Sequence, residues 1–204
     1  MSIAKKKVLT RNKSYTIFKI MTREEALKIL KENLFNQNLI KHSLAVEAIM
    51  KELALYFHED EGKWALAGLL HDIDYEQVKN DLSQHSLVGA KMLENFGLEE
   101  DICQAVKVHN EAHNIKPKTL MEKSLFTSDP LSGLIVASTL VLPSKKINDL
   151  TSENVLNRFK EKSFARGANR EIIKKCEELL NLKLEEFIKI GLKAMQKINK
   201  DLEL

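Results

Sequence analysis

Turn-forming residues are scarce in this chain. Three Pro and seven Gly in 204 residues are too few to punctuate the many short strands of an all-β fold, and helix-tolerant Lys, Glu, Leu, Ile and Ala fill their place. Cysteine is nearly absent. Cys103 and Cys176 lie far apart, cannot form a disulfide framework, and read as inert core residues of a protein in a reducing cytoplasm. No stretch reaches the roughly 18 consecutive apolar residues of a membrane span, so no membrane partner is expected. Acidic residues are missing from positions 1–20, which carry Lys5, Lys6, Lys7, Arg11, Lys13 and Lys19. That segment contributes +6 to a net charge of +3, leaving −3 for the other 184 residues. It lacks the apolar centre of a signal peptide and is read as a basic, flexible extension. The mildly acidic remainder argues against nucleic-acid binding by bulk charge.

What is present is enough apolar material, 44% of residues, for a sizeable core. Thr22-Arg23-Glu24-Glu25 has the form of a capping box and opens a helix through Ala26, Leu27 and Leu30. Further helices are expected over about 39–57, 62–73, 83–96 and 99–113, with Gly97 as a stop signal. Another spans about 120–129, after which Pro130 kinks or restarts the helix into the apolar stretch 131–142. Amphipathic patterns follow near 151–161, 169–180 and 184–201. No alternating strand pattern and no internal repeat occurs. The expected fold class is all-α, with a helical domain over 21–204.

All six His fall between positions 42 and 113. His42 precedes Val46, Ile49 and Leu53 on one helical stripe, and His109 continues the stripe of Ile102, Ala105 and Val106. His85 lines up with Val88, Met92 and Phe96, and Asp129 follows Leu125 and Phe126 by one turn. His71 and Asp72 end the uncharged apolar run of the third helix. Each position alone reads as a satisfied core residue. Jointly, buried carboxylates need compensating positive charge, and no Lys or Arg lies on the stripe beside Asp72. A divalent metal held by imidazole and carboxylate satisfies them all.

The order His42, then His71-Asp72 after an apolar helix, then Asp129, resembles that of the HD-domain superfamily of metal-dependent phosphohydrolases. Leu69-Leu70-His71-Asp72-Ile73-Asp74 is similar to its HDIG variant, with Asp74 where Gly would stand. His85 and His109 match the two extra histidines of the binuclear branches, which include HD-GYP cyclic-dinucleotide phosphodiesterases and symmetrical dinucleoside tetraphosphatases. The resemblance covers roughly 38–142, with additional C-terminal helices over about 150–202. It implies one metal on His42, His71, Asp72 and Asp129, and a second bridged by Asp72 and completed by His85 and His109. The candidates are Fe, Mn, Co, Ni or Zn, one or two per chain. Two departures separate the chain from the HD-GYP pattern: Tyr75 stands where that branch has Lys, and His109-Asn110-Glu111 replaces its His pair followed by Glu.

Among the remaining polar residues, Asp74, beside the metal motif, reads either as a general acid or base or as an orienting group for a ligand. Its neighbour Glu76 has the same two readings. His113, one turn after His109, is a candidate substrate contact, as are Lys162, Arg166 and Arg170, which would share a face if helical and meet phosphate. Lys145 and Lys146 read as solvated, and His58 as an exposed helix end. The implied activity is hydrolysis of a small phosphorylated substrate, a nucleotide or another phosphomonoester or phosphodiester, by a metal-activated hydroxide. Asp72 is the expected bridging catalytic ligand. The same ligands serve mixed-valent di-iron oxygenases in some HD-fold members, a second reading. A non-catalytic nucleotide-sensing module is a third, disfavoured because all six candidate ligands are present. An oligomer is compatible with the sequence.

Overall fold

In the computed structural model, residues 21–204 are described; the basic stretch 1–20 lies outside the described residues. No strand occurs among the described residues. The first helix, α1 (Arg23–Asn33), begins at the expected capping box, with Thr22 accepting from the Glu25 N–H and Glu25 answering to the Thr22 N–H. α2 (Gln37–Phe57) is capped by Asn36 and stops where His58 turns left-handed at φ 59°. α3 (Glu61–Leu70), capped by Asp60, returns along α2 and buries Trp64, Ala67, Leu69 and Leu70.

α2 and α3 pack closely, and Gly68 permits it. A Cβ at that position would lie 2.8 Å from the Val46 carbonyl oxygen and 2.9 Å from backbone atoms of Glu47. α3 gives way to a turn carrying His71 and Asp72, then to α4 (Tyr75–Val78). The expected helix over 83–96 is shorter. A 3-10 turn at Leu82–Gln84 precedes α5 (Leu87–Asn95), because Ser86 adopts φ 71° and breaks the helix between them. Gly97, at φ 80°, ends the segment as expected. α6 (Glu100–His109) likewise stops early, at Asn110, with a 3-10 turn at Glu111–His113.

α7 (Leu120–Leu140) passes through Pro130 as one helix. Leu125, Leu131, Leu134 and Ile135 are fully buried on it. α8 (Ser152–Lys160) opens on a second capping box, Thr151 with Asn154. α9 (Arg170–Lys174) and α10 (Cys176–Leu179) share the expected 169–180 segment, and Cys103 and Cys176 are both free and buried. α11 (Leu184–Lys197) and the short α12 (Asn199–Leu202) complete the chain. α11 buries Phe187, Ile188 and Met195, and its Gly191 lets Leu131 of α7 come to 2.8 Å of where a Cβ would sit. Each such fully buried side chain contributes about 1.5–3 kcal/mol, enough to hold α2 and α7 rigidly where they carry His42 and Asp129.

Replacing Gly68 by Ala inserts a methyl against backbone that cannot swing aside. Urea unfolding of the G68A protein in EDTA is expected to show a loss of about 1–3 kcal/mol relative to wild type. An unchanged midpoint would mean that α2 and α3 separate at little cost.

Candidate metal centre

His71 and His109 sit at the C-terminal ends of α3 and α6, His42 in the second turn of α2, and Asp129 just before Pro130 in α7. Asp72 follows His71, and His85 stands in the break before α5. The fold brings all six together. Asp72 Oδ1 lies 3.4 Å from His71 Nε2, 3.3 Å from His85 Nε2 and 3.5 Å from His109 Nε2, while Oδ2 lies 3.5 Å from His42 Nε2. Asp129 Oδ1 is 3.0 Å from His42 Nε2 and 3.9 Å from His71 Nε2. The two nitrogens His42 Nε2 and His71 Nε2 are 3.1 Å apart.

The other side of every imidazole is committed. His71 Nδ1 donates to the Gly68 carbonyl at 2.8 Å and His109 Nδ1 to the Val106 carbonyl at 2.6 Å. His85 Nδ1 donates to Asp74 Oδ1 at 2.9 Å. Ser132 gives its one O–H to the Asp129 carbonyl at 2.8 Å, so its oxygen accepts from His42 Nδ1 at 3.0 Å. With Nδ1 protonated on all four rings, four Nε2 lone pairs converge on two carboxylates. Acceptors facing acceptors call for a cation between them. Two donors about 2.1 Å from one metal stand about 3.0 Å apart at a right angle and about 3.4 Å apart at the tetrahedral angle. The short contacts of the cluster match those separations, and its nitrogen and oxygen donors suit a divalent transition metal. Two subsets converge most tightly: His42 with His71 and Asp129, and His71 with Asp72 and His109.

The HD domain family model matches residues 39–139, the stretch that carries all six of these side chains. An uncharacterized protein of Methanocaldococcus jannaschii is 31% identical over 177 residues, covering 81% of this chain and 98% of its own. The chain belongs to the HD domain family. Members of that family are generally metal-dependent phosphohydrolases. Ribonuclease Y of Lawsonia intracellularis is 30% identical over 141 residues, and that of Nitratidesulfovibrio vulgaris 33% over 143. Each of those matches covers 68% of this chain, which spans 27% of the length of these relatives. No solved structure matches.

Several candidate residues are placed differently from their sequence pattern. His85 is not on a helical stripe with Val88, Met92 and Phe96, because the Ser86 turn interrupts the phase; it reaches Asp72 from a loop. Asp74 is fully buried and accepts from His85, from the Ser86 N–H at 2.8 Å and from the Gly89 N–H at 2.7 Å. Glu76 accepts from the Phe35 and Asn36 N–H groups. His113 Nε2 donates to the His85 carbonyl at 2.6 Å. Lys162, Arg166 and Arg170 do not share a helical face, since 161–169 is a run of turns. The Arg170 guanidinium is spent on the carbonyls of Arg158, Phe159, Glu161, Phe164, Ala165 and Ala168, which folds that loop around it. Lys162 and Arg166 are exposed, on a loop tied to the α6 end of the site by Asn169 donating to Glu111.

Sequence reasoning missed Ser132, which has no signal beyond standing three residues after Asp129, and marked Tyr75 only as a departure from the HD-GYP pattern, whereas its ring meets that of His85 edge to face at 5.4 Å. A recess of about 420 Å³ bordered by Arg23, Glu47, Lys51, Lys63 and Glu99 shares no residue with the cluster. Two of its bases are already paired, Arg23 with Glu47 and Lys63 with Glu99. No described helix is long and apolar enough to cross a membrane.

The electrostatics bear on loading. Burial opposes charge on His42, but Asp129 and Asp72 outweigh it and raise its pKa to about 8. Burial opposes charge on His85 too, yet hydrogen bonds to Asp72 and Asp74 lift it to about 10. His71 is pushed down to about 4 by burial. Against burial, the imidazoles hold the Asp72 carboxyl well below its usual range, and His42 lowers Asp129.

In the metal-free protein, His42 and His85 contribute stability that is complete below their ordinary value of 6.5 and is lost as pH rises through about 8 and 10. His71 acts in reverse, losing its contribution as pH falls from 6.5 through about 4. Denaturant titration of EDTA-treated protein is expected to peak near its midpoint around pH 6.5. The metal-loaded protein should instead gain stability above that pH, because ligation displaces protons from both raised imidazoles. A weakly buffered metal titration at pH 7 should record proton release. A metal-free protein whose stability rises steadily to pH 9 would contradict these charge states.

Proposed function

We propose that this HD domain is a metal-dependent phosphohydrolase acting on a nucleotide or another small phosphomonoester or phosphodiester. The observation that carries the reading is the convergence of four imidazole Nε2 atoms and two carboxylates, with every Nδ1 tied to an acceptor. His42, His71, Asp72 and Asp129 would hold one divalent ion, and Asp72, His85 and His109 a second. Bound there, the metal supplies Lewis acidity toward a phosphoryl oxygen and a hydroxide at neutral pH.

The protein's own contribution is placement and access. His71, Asp72 and His109 are buried, whereas the side chains of His42 and Asp129 remain 24% and 32% exposed. The open edge of the site is therefore the α2–α7 side, and substrate approaches there. Asp72 directs one oxygen to His42 and the other to His71, His85 and His109, the orientation that a bridging ligand requires. Lys162 and Arg166, exposed on the 161–169 loop, stand as candidate contacts for substrate phosphate. The relatives named as ribonucleases add an RNA phosphodiester to the substrates to be tried, while the −3 charge of residues 21–204 favours a small ligand over bulk nucleic acid.

The test is phosphate or nucleotide release from a panel of nucleotides, phosphomonoesters and short RNA, each with Mn, Fe, Co, Ni or Zn, beside Asp72→Ala. Turnover is expected in wild type and a loss of about 1000-fold or more in the variant, with far-UV dichroism nearly unchanged. Full activity in Asp72→Ala, or no release by metal-loaded wild type from any substrate, would overturn the assignment.

A further inference from the structure

We propose that Asp74 is a positioning residue that locks His85 in its Nδ1–H tautomer and so makes His85 a metal ligand. The inference rests on reading the His/Asp cluster as a metal centre. It selects the orienting role among the two that the sequence allows for Asp74.

His85 is the one imidazole of the four with no regular helix to aim it. His42 rides on a 21-residue helix, and His71 and His109 each bond the carbonyl three residues earlier, a contact that comes with the local backbone. The corresponding carbonyl for His85, that of Leu82, is already taken by the His85 backbone N–H at 3.2 Å. The ring must be anchored from elsewhere, and Asp74, eleven residues earlier, supplies the acceptor.

The surroundings are shaped to bring that carboxylate in. Gly89 faces it so closely that a Cβ would stand 3.1 to 3.3 Å from its carbon and oxygens. Ser86 holds the left-handed φ of 71°, costly for a residue with a side chain, while its N–H binds Asp74 and its hydroxyl binds the Lys107 carbonyl. On the other side, His113 Nε2 and Asn110 Nδ2 both donate to the His85 carbonyl, at 2.6 and 3.2 Å. Three loops thus converge on one residue that reaches the cluster through Nε2 to Asp72 and through its ring edge to His109.

Asp74 divides its oxygens. Oδ1 takes the imidazole N–H, and Oδ2 takes the two backbone N–H groups of Ser86 and Gly89. In Asp74→Asn the single amide oxygen goes to the two backbone donors, which have no alternative, and the NH2 group then faces His85 Nδ1. An imidazole can meet a donor only by moving its proton to Nε2, which removes the lone pair the metal needs. The substitution preserves size and backbone contacts but inverts the ligand.

The experiment uses full-length protein loaded with Zn, read by metal titration and by 15N-histidine NMR, with His85 assigned from the His85→Ala spectrum. In wild type, His85 is expected to carry its proton on Nδ1 and two metals to bind. Asp74→Asn is expected to keep the first metal, weaken the second by about 10–100-fold, and show the His85 proton on Nε2. In a His85→Ala background, Asp74→Asn should cause no further loss. The inference is overturned by wild-type His85 protonated on Nε2, a measurement that needs no variant to fold. Second-metal affinity unchanged in Asp74→Asn, or an equal loss in the His85→Ala background, would also overturn it. Wild-type protein that binds no metal at all would instead overturn the metal-centre reading.

Discussion

The Asp72 carboxylate is the point on which this molecule turns. It is buried, its neighbours of opposite charge are imidazoles rather than Lys or Arg, and those imidazoles point unprotonated nitrogens at it when their Nδ1 atoms are satisfied. Such a centre is repulsive by itself and becomes favourable only with added positive charge, whether protons on His42 and His85 or divalent ions. The rest of the chain holds these groups in place against that repulsion. The apolar faces of α2, α3, α7 and α11 provide the rigidity.

The helix ends reinforce the charge preference. α3 and α6 both terminate at the centre, so the carbonyl ends of two helix dipoles face it and favour a cation. His71 and His109 exploit the same geometry, since a residue at the last turn can return its Nδ1–H to a carbonyl three residues back while Nε2 looks forward. His42 and Asp129 come from the interiors of long helices and leave the site open between α2 and α7. His42 and Asp129 are the most exposed of the six side chains, so the α2–α7 side is the open edge of the cluster.

The C-terminal helices have a different task. α11 closes over α2 and α7, and the 161–169 loop is wrapped around Arg170, whose guanidinium binds backbone carbonyls, those of Phe159 and Phe164 among them. A charge spaced like a phosphate contact in the sequence is a loop-organising residue in the fold, because spacing of four has meaning only on a helix, and Gly167 lies within a run of turns.

The amino-acid sequence by itself determined the features that are local in origin. The all-α class, the capping box at Thr22, the stop at Gly97, and the inward phase of His42 and His109 follow from periodicity and from end signals acting over one or two turns. The HD motif supplied the candidate ligands by order. Only the tertiary structure decided how they meet. The left-handed Ser86, which takes His85 off any helical stripe, is stabilised by Asp74 and by Lys107, residues 12 and 21 positions away. Ser132 finds His42 across 90 residues. Such contacts leave no periodic trace, because a hydrogen bond between distant segments constrains two positions without constraining the spacing between them.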